Sequence, residues 1–502
     1  MTFSLPIRLS KSKFLSGLQC TKRLYYEVHT PELAGEIDPE RQAIMNMGTE
    51  IGEIARRRFP HGILVTETYR QTSAALRRTT ELVEDQTTSV IFEGAFEWQG
   101  TLVRADILER VEHDTWKLIE VKSTAKVKPI HIHDLAVQAE VLLGAGIQLV
   151  GFGLMHLNTR YVYEGGPLDL EALFIIEDLT EVVMERAANV HKQLEEMRQI
   201  LRAPFPPSIA PDGHCHTPYA CPFWANCTKE KPDRWIYHLP GSRQTFKDLE
   251  AQGIETIDEI PAGFNLTVLQ QRMKDHVEWI SPEFSNIMQS VVYPVHHLDF
   301  EMFMPAIPPY PGTRPYRPIP IQWSNHIEHE NGSVLHDAYL CTEPKDPREE
   351  VAKSIIATVG DTGTICVYSE NERHILLSLA EAFPLLKDDL LKIVERLWDL
   401  FAIIQQHYYH PNFHGSLSIK AVLPALVPHM AYGDLSVQNG AMASVVYRQM
   451  AFEEPDLIER SRMASELRDY CARDTLGMLT LRHVLQEKAA AISASSWENN
   501  IE

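Results

Sequence analysis

The sequence predicts an α/β protein of more than one domain, and three observations carry that prediction. The chain has 502 residues, more than a single hydrophobic core usually organises. Strand-like alternation gives way to helix-like periodicity twice, once over residues 88–157 and again from residue 291 onward. Between them lies a polar stretch, residues 231–290, that reads as a helical segment joining two larger domains.

Taken in order, residues 1–60 read as mostly helical. "SVIFEGAFEW", "GTLVRADILERVE" and "TWKLIEVKS" read as an antiparallel meander broken at "QG" and "EHD" turns. "HDLAVQAEVLLGAG" is a helix stopped by glycine, and "QLVGFGLMHL" is a further strand. "DLTEVVMERAANVHKQLEEMRQILRA" predicts one long amphipathic helix ahead of a cysteine-rich stretch. The second half opens with the strand "VVYPVHHLDFEMF". The proline-rich loop "PAIPPYPGTRPYRPIPIQW" follows, and then "GTICVYSENERHILLSLAEAF" as strand, turn and helix. Residues 385–410 read as helical, and "ELRDYCARDTLGMLTLRHVL" as a helix near the end. The expected organisation is a domain over 1–230, a linker module over 231–290, a domain over 291–490 and a polar tail over 491–502.

Charge narrows the function classes. The net charge is −21. Divided at residue 290 it is 30 − 40 = −10 before and 17 − 28 = −11 after. Neither half is a basic module of the kind that binds nucleic acid by charge alone. An enzyme whose carboxylates are offset by divalent metal fits that balance. The opening residues are mixed and polar, and "VLLGAGIQLVGFGLMHLNT" carries four glycines. A cytoplasmic protein with no membrane span is therefore expected. Seven cysteines in such a chain argue against a disulfide framework. Cys215, Cys221 and Cys227 fall within thirteen residues, and Cys20 lies far upstream.

In "LIEVKS" Glu120 and Lys122 stand two apart in an apolar run, so they share a strand face. Asp106 is a second lone carboxylate in a strand, across the hairpin in "LVRADILERV". Unpaired charges buried there would cost several kcal/mol, roughly, unless something offsets them. A divalent cation shared by the acids, with the lysine orienting water and stabilising a phosphoryl transition state, would do so. The pattern "AD…EVK" resembles the PD-(D/E)XK nuclease superfamily. Gln138 in "DLAVQAEVL" resembles the glutamine of its RecB-like branch, whose relatives also carry a metal ligand on an early helix. Here "MGTEIGEIARRRF" offers Glu50 or Glu53, and the helical wheel favours Glu50, which borders the apolar face. Cys20, Cys215, Cys221 and Cys227 resemble the cysteines that tie a [4Fe–4S] cluster into AddB-like and CRISPR-adaptation nucleases. Zinc is the alternative, with His214 or His216 as further donors.

In "HHLDFEMF" Asp299 and Glu301 share a face of an apolar strand, and "LRDYCARDTLGM" sets Tyr470 and Asp474 one helical turn apart. These resemble the DEDD exonuclease superfamily, which has an RNase H-like fold. Its third motif is an acid opening a helix after a strand. Glu372 holds that place, where most relatives have Asp. Four carboxylates of this kind hold two divalent ions about 3.5–4 Å apart, and Tyr470 would orient the attacking water. Over nearly the whole chain, phrases such as "LSKSKFLSGLQC", "PYRPIPIQWSNH" and "FHGSLSIKAVLPALVP" resemble a bacterial family that joins a RecB-like nuclease to a DEDD-type domain. The resemblance implies a Mg²⁺- or Mn²⁺-dependent nuclease acting on nucleic acid, DNA before RNA, in repair or in defence against mobile DNA. The rival expectation is an accessory nucleic-acid-binding protein with one or both sites degenerate.

Overall fold

A computed structural model describes residues 8–36 and 39–498, which divide into two compact units. The first comprises residues 1–231 together with 306–316, and the second comprises 232–305 and 317–502. Both are mixed α/β. No helix among the described residues is long and apolar enough to cross a membrane.

The first unit opens with β1 (Leu9–Ser10), α1 (Lys11–Gln19), α2 (Thr21–His29) and α3 (Pro39–Arg56). β2 (Ile63–Leu64) and α4 (Thr72–Glu84) lead into the meander β3 (Val90–Trp98), β4 (Thr101–Glu112) and β5 (Thr115–Lys122). Then come α5 (Pro129–Gly144), β6 (Gln148–Leu157), α6 (Leu170–Leu173), β7 (Phe174–Asp178), α7 (Thr180–Ala187), α8 (Val190–Arg202) and α9 (Trp224–Thr228). The strands form a seven-stranded sheet in the order β2-β3-β4-β5-β6-β7, with β1 added parallel to β4. The β3–β4 hairpin turns on Gln99 and Gly100, both at positive φ (46° and 73°), as a two-residue turn between twisted strands requires. Along β5, Trp116 and Leu118 join the core beneath α5 and α8, whereas Ile119 joins the other core with Ile51 and Ala55 of α3. Glu120 and Lys122 continue the Trp116–Leu118 face, toward α5. The single long helix expected over 178–203 is two helices. It breaks at Ala188–Asn189, where the short amide side chain of asparagine competes with helical bonding.

The second unit opens with α10 (Arg243–Ala251), α11 (Val268–Asp275), β8 (Trp279–Ile280) and α12 (Phe284–Met288). Next come β9 (Val295–Phe303), β10 (Ile319–Glu328), β11 (Val334–Leu340), α13 (Arg348–Val359), β12 (Thr364–Val367) and α14 (Asn371–Ala382). It closes with α15 (Lys387–Glu395), β13 (Leu397–Asp399), α16 (Leu400–His407), β14 (Tyr408–Tyr409), α17 (Ile419–Leu426), α18 (Gly440–Arg448) and α19 (Leu457–Glu498). The main sheet runs β11-β10-β9-β12-β13. Its first three strands are antiparallel, and β12 and β13 continue parallel to β9.

Three expectations are corrected here. Residues 231–290 do not stand apart as a linker. Ile236, Leu249, Ile257 and Phe284 are buried, and β8 pairs with β14 through Trp279↔Tyr409, which sews the segment into the second unit. Residues 385–410 are not wholly helical, because β13 and β14 interrupt them. The polar tail expected from 491 is helical through Glu498, and residues 499–502 lie outside the described residues.

Two buried carboxylate sites and a thiol cluster

The first site forms where the β4–β5 ladder stops. Pairing begins at Ile107↔Ile119, and one residue beyond it Asp106 Oδ2 accepts the Val121 N–H at 2.8 Å. Glu120 is 1% exposed. Its Oε1 accepts from Lys122 Nζ at 2.6 Å and Lys11 Nζ at 2.8 Å, and its Oε2 accepts from Gln138 Nε2 at 2.8 Å. Lys122 also reaches Asp134 Oδ2 at 2.6 Å, and Lys11 lies 3.3 Å from Asp134 Oδ1. Asp106, Glu120, Lys122 and Gln138 therefore come together as the sequence predicts, joined by Lys11 and Asp134, which were not foreseen. Asp134 had a signal, since it stands four residues before Gln138 on α5 and so shares its face. Lys11 had none, being 109 residues from its partner.

Burial, reinforced by Glu120, pushes the Asp106 carboxyl up to about 7. Burial would raise Glu120 too, but Lys11 and Lys122 outweigh it and hold that carboxyl below its ordinary range. The same acids raise both lysines against desolvation. Glu93 also adds to the field at Asp106, and its φ of 55° is a strained setting for a side chain larger than glycine. Glu50 is half-buried on α3, the helix packed against β5, while Glu53 is exposed, in keeping with the wheel.

The second site gathers four acids from three separate elements. β9 supplies Asp299 and Glu301, the start of α14 supplies Glu372, and α19 supplies Asp474. Glu301, Glu372 and Asp474 are all buried, and Asp299 is half-buried. Burial raises all four carboxyls. Mutual repulsion lifts Asp299 and Glu301 well above the ordinary range; Glu372 reaches about 7 and Asp474 about 6. Tyr432 donates to Asp474, Tyr470 lies one turn before that carboxylate on α19, and Lys420 Nζ donates to Tyr470 Oη at 2.9 Å. Among the described residues, the trio of His, Cys, Asp or Glu ligand atoms all within 4.8 Å of one another is Asp299, Glu301 and Cys471. Sequence reading missed Lys420, Tyr432 and Cys471. Cys471 follows Tyr470 directly, but nothing local marks Tyr432 or Lys420 as neighbours of Asp474. His297 is held by the surrounding fold: its Nδ1 faces the His326 carbonyl at 3.1 Å, and its Nε2 accepts from Arg482 Nε at 3.2 Å.

The third feature is the thiol cluster. Cys20, Cys215, Cys221 and Cys227 line one small cavity with His214, Phe223 and Trp224. Gln19, beside Cys20, donates to the carbonyls of His214 and Tyr219 at 2.8 Å each, so the end of α1 is laced to the cysteine loop. Burial and the neighbouring thiols push Cys215 up to about 11; burial raises Cys221 and Cys227 as well. A site of four thiols fits thiophilic metal or an iron–sulfur cluster. No three of these sulfurs fall within 4.8 Å of one another.

These features define a mixed α/β protein with two buried acid sites and one thiol site. A family model described as a domain of unknown function (DUF2779) matches residues 296–418, which include Asp299, Glu301 and Glu372. No curated protein matches the chain.

Proposed function

We propose that the chain is a divalent-metal-dependent nuclease acting on DNA, with a PD-(D/E)XK-type site in its first unit and a DEDD-type exonuclease site on an RNase H-like sheet in its second. The observation that carries this reading is the second site. Asp299, Glu301, Glu372 and Asp474, spread over 175 residues (474 − 299), meet in one buried cluster with Lys420 as its near cation. Crowding of that kind is unfavourable in a folded interior without protons or cations to offset it. Its hard oxygen donors suit Mg²⁺ or Mn²⁺, which when bound would supply the charge that activates water and stabilises the leaving oxygen. Tyr470, on the adjoining turn of α19, would orient that water. Hydrolysis adds the water oxygen to phosphorus, breaks the bond to the 3′ oxygen and returns a proton to it. The sheet order, with three antiparallel strands and then two parallel ones, suits the RNase H-like reading.

In the first site Asp106 and Glu120 would hold metal, with Glu50 as a further ligand, and Lys122 and Gln138 would steady the scissile phosphate and the carboxylate. The thiols would hold a [4Fe–4S] cluster, with zinc as the alternative thiophilic occupant. Support for the rival, an accessory nucleic-acid-binding protein, comes from the first site alone, where three donors already occupy Glu120. The test is cleavage of end-labelled single- and double-stranded DNA and RNA by the purified chain with Mg²⁺ or Mn²⁺, beside Lys122→Ala and Asp299→Ala. Each variant should remove a different product set. Binding without cleavage by the unaltered protein would sink the nuclease reading.

A further inference from the structure

Two cations act on the acids of the second site. Arg473 is committed to Asp434, with contacts of 2.8 and 3.2 Å. Lys420 is not so committed. It sits at the start of α17, whose first turn is capped by Ser418 accepting the Lys420 N–H at 3.2 Å. Its Nζ lies 2.8 Å from the Gln438 carbonyl and 2.9 Å from Tyr470 Oη. It also stands 4.9 Å from the Tyr470 ring centroid and 5.4 Å from that of Tyr432. The ammonium is thus clamped between a carbonyl and two aromatic faces, a setting that holds a cation without an ion pair.

We propose that Lys420 is a positioning residue of the second site, fixing which way the Tyr470 hydroxyl points and so where the attacking water sits. The inference rests on the nuclease reading given above. An ammonium has three N–H donors and no lone pair, so toward Lys420 the Tyr470 oxygen can only accept. Its own proton is thereby turned away from Lys420, toward the side where the Asp474 carboxylate lies one helical turn on. Tyr432 donates to the same carboxylate from the other side. The result is a directed arrangement in which Lys420 donates to the Gln438 carbonyl and to Tyr470 Oη, leaving the phenol proton for the side of Asp474. Without the ammonium the phenol could rotate its O–H toward the Gln438 carbonyl side, and its lone pair would no longer be held. Misplacing a water-orienting group by about 1 Å is enough to cost roughly a hundredfold in rate.

The test uses the full chain, single-stranded DNA labelled at its 5′ end and Mn²⁺. Lys420→Met should lower kcat by about 30- to 100-fold with KM changed by less than about threefold, and Lys420→Arg should recover to within about tenfold of the unaltered protein. In a Tyr470→Phe background, Lys420→Met should add less than about threefold, since two residues that act as a unit are not additive. In metal-free protein carrying [¹³C]tyrosine, the resonance lost in Tyr470→Phe should move in Lys420→Met and return toward its place in Lys420→Arg. Full additivity in the double variant overturns the proposal. So does a raised KM at unchanged kcat, which would mean that Lys420 grips substrate phosphate directly. If Lys420→Met does not fold, Lys420→Gln is read in its place by the same criteria. A protein in which Asp299→Ala is inactive while Lys420→Met cleaves normally overturns this inference alone. One with no Asp299-dependent cleavage overturns the nuclease reading and this with it.

Discussion

In the first site three acids, Asp106, Glu120 and Asp134, meet two lysines and an amide; in the second, four acids meet one near lysine. Counted as formal charges, the first is −3 + 2 = −1 and the second −4 + 1 = −3. The difference separates two ways of keeping carboxylates inside a protein. The first site carries its own counter-charges, so Glu120 stays ionised. The second leaves its acids to take up protons, and all four sit above their ordinary range. One site carries its counter-charge within the chain; the other needs protons or cations to offset its acids.

The largest expected effect follows from that need. Asp299→Ala should lower second-site cleavage by about a thousandfold or more, as removal of one member of a catalytic set does, measured under single-turnover conditions. The same substitution should leave the product set that depends on Lys122 within about threefold of its rate. If both activities fall together, the two sites are not separate and the comparison fails.

Next comes the response to pH and metal. With Glu372 at about 7 and Asp474 at about 6 in the folded protein, against about 4 in an unfolded chain, the folded second unit binds more protons through that window. Through these acids metal-free stability falls as pH rises from about 4 to 7, while the buried His296 and His326, held at about 4, pull the other way. Glu372→Gln should therefore remove part of the fall, and Mn²⁺ should stabilise the unaltered protein most at the alkaline end. Thermal melting at pH 6 and pH 8, with and without Mn²⁺, reads this directly. Asp299→Asn should raise the metal-free melting temperature at pH 8 by a few degrees, about what 1 kcal/mol gives in a unit of this size, and should shrink the gain from Mn²⁺. A Glu372→Gln variant whose metal-free melting temperature changes between pH 6 and pH 8 just as the unaltered protein's does would contradict the charge assignment.

What the sequence made legible follows the range of the interactions. Each strand of the meander was readable because alternation and the Gln99–Gly100 turn are local, and so was the pairing of Asp106 with Glu120 across one hairpin. Asp299 and Glu301 announced themselves as acids in an apolar strand, and Tyr470 and Asp474 as one turn of a helix. Contacts made across the fold were not readable. Lys11 meets Glu120 from 109 residues away, and Tyr432 meets Asp474 from 42. Neither sits in a pattern that marks it as more than a surface residue. The helix break at Ala188–Asn189 was missed for another reason. The apolar period continues across it, and only the preference of asparagine for non-helical bonding opposes the longer helix.

A smaller effect tests the balanced site. Lys11→Met removes one of the two lysines from Glu120 and Asp134 and should destabilise the first unit by about 3 kcal/mol, as breaking a buried pair does. Gln138→Leu strips Glu120 Oε2 of its donor and should cost about 1–2 kcal/mol. Both are measured by chemical denaturation. Adding Mn²⁺ should recover part of the Lys11→Met loss, because a cation then replaces the missing ammonium. If Lys11→Met is as stable as the unaltered protein, the first site does not depend on its own counter-charge.

The smallest effect distinguishes the two acids of α3. Glu50 is half-buried on the helix that packs against β5. Glu53, three residues on, is exposed and lies about 60° further round the helix from the apolar face of Met47, Ile51 and Ile54. Glu50→Gln keeps shape and removes charge, so it should slow first-site cleavage by about tenfold and weaken the dependence of that activity on Mn²⁺. Glu53→Gln should change neither the rate nor the melting temperature beyond about 0.5 kcal/mol equivalent, as expected for a solvated surface acid. The discriminating measurement is the Mn²⁺ concentration that half-saturates Lys122-dependent cleavage. A shift with Glu53→Gln and none with Glu50→Gln would place the metal on the other side of α3 and undo the assignment of the first site's third ligand.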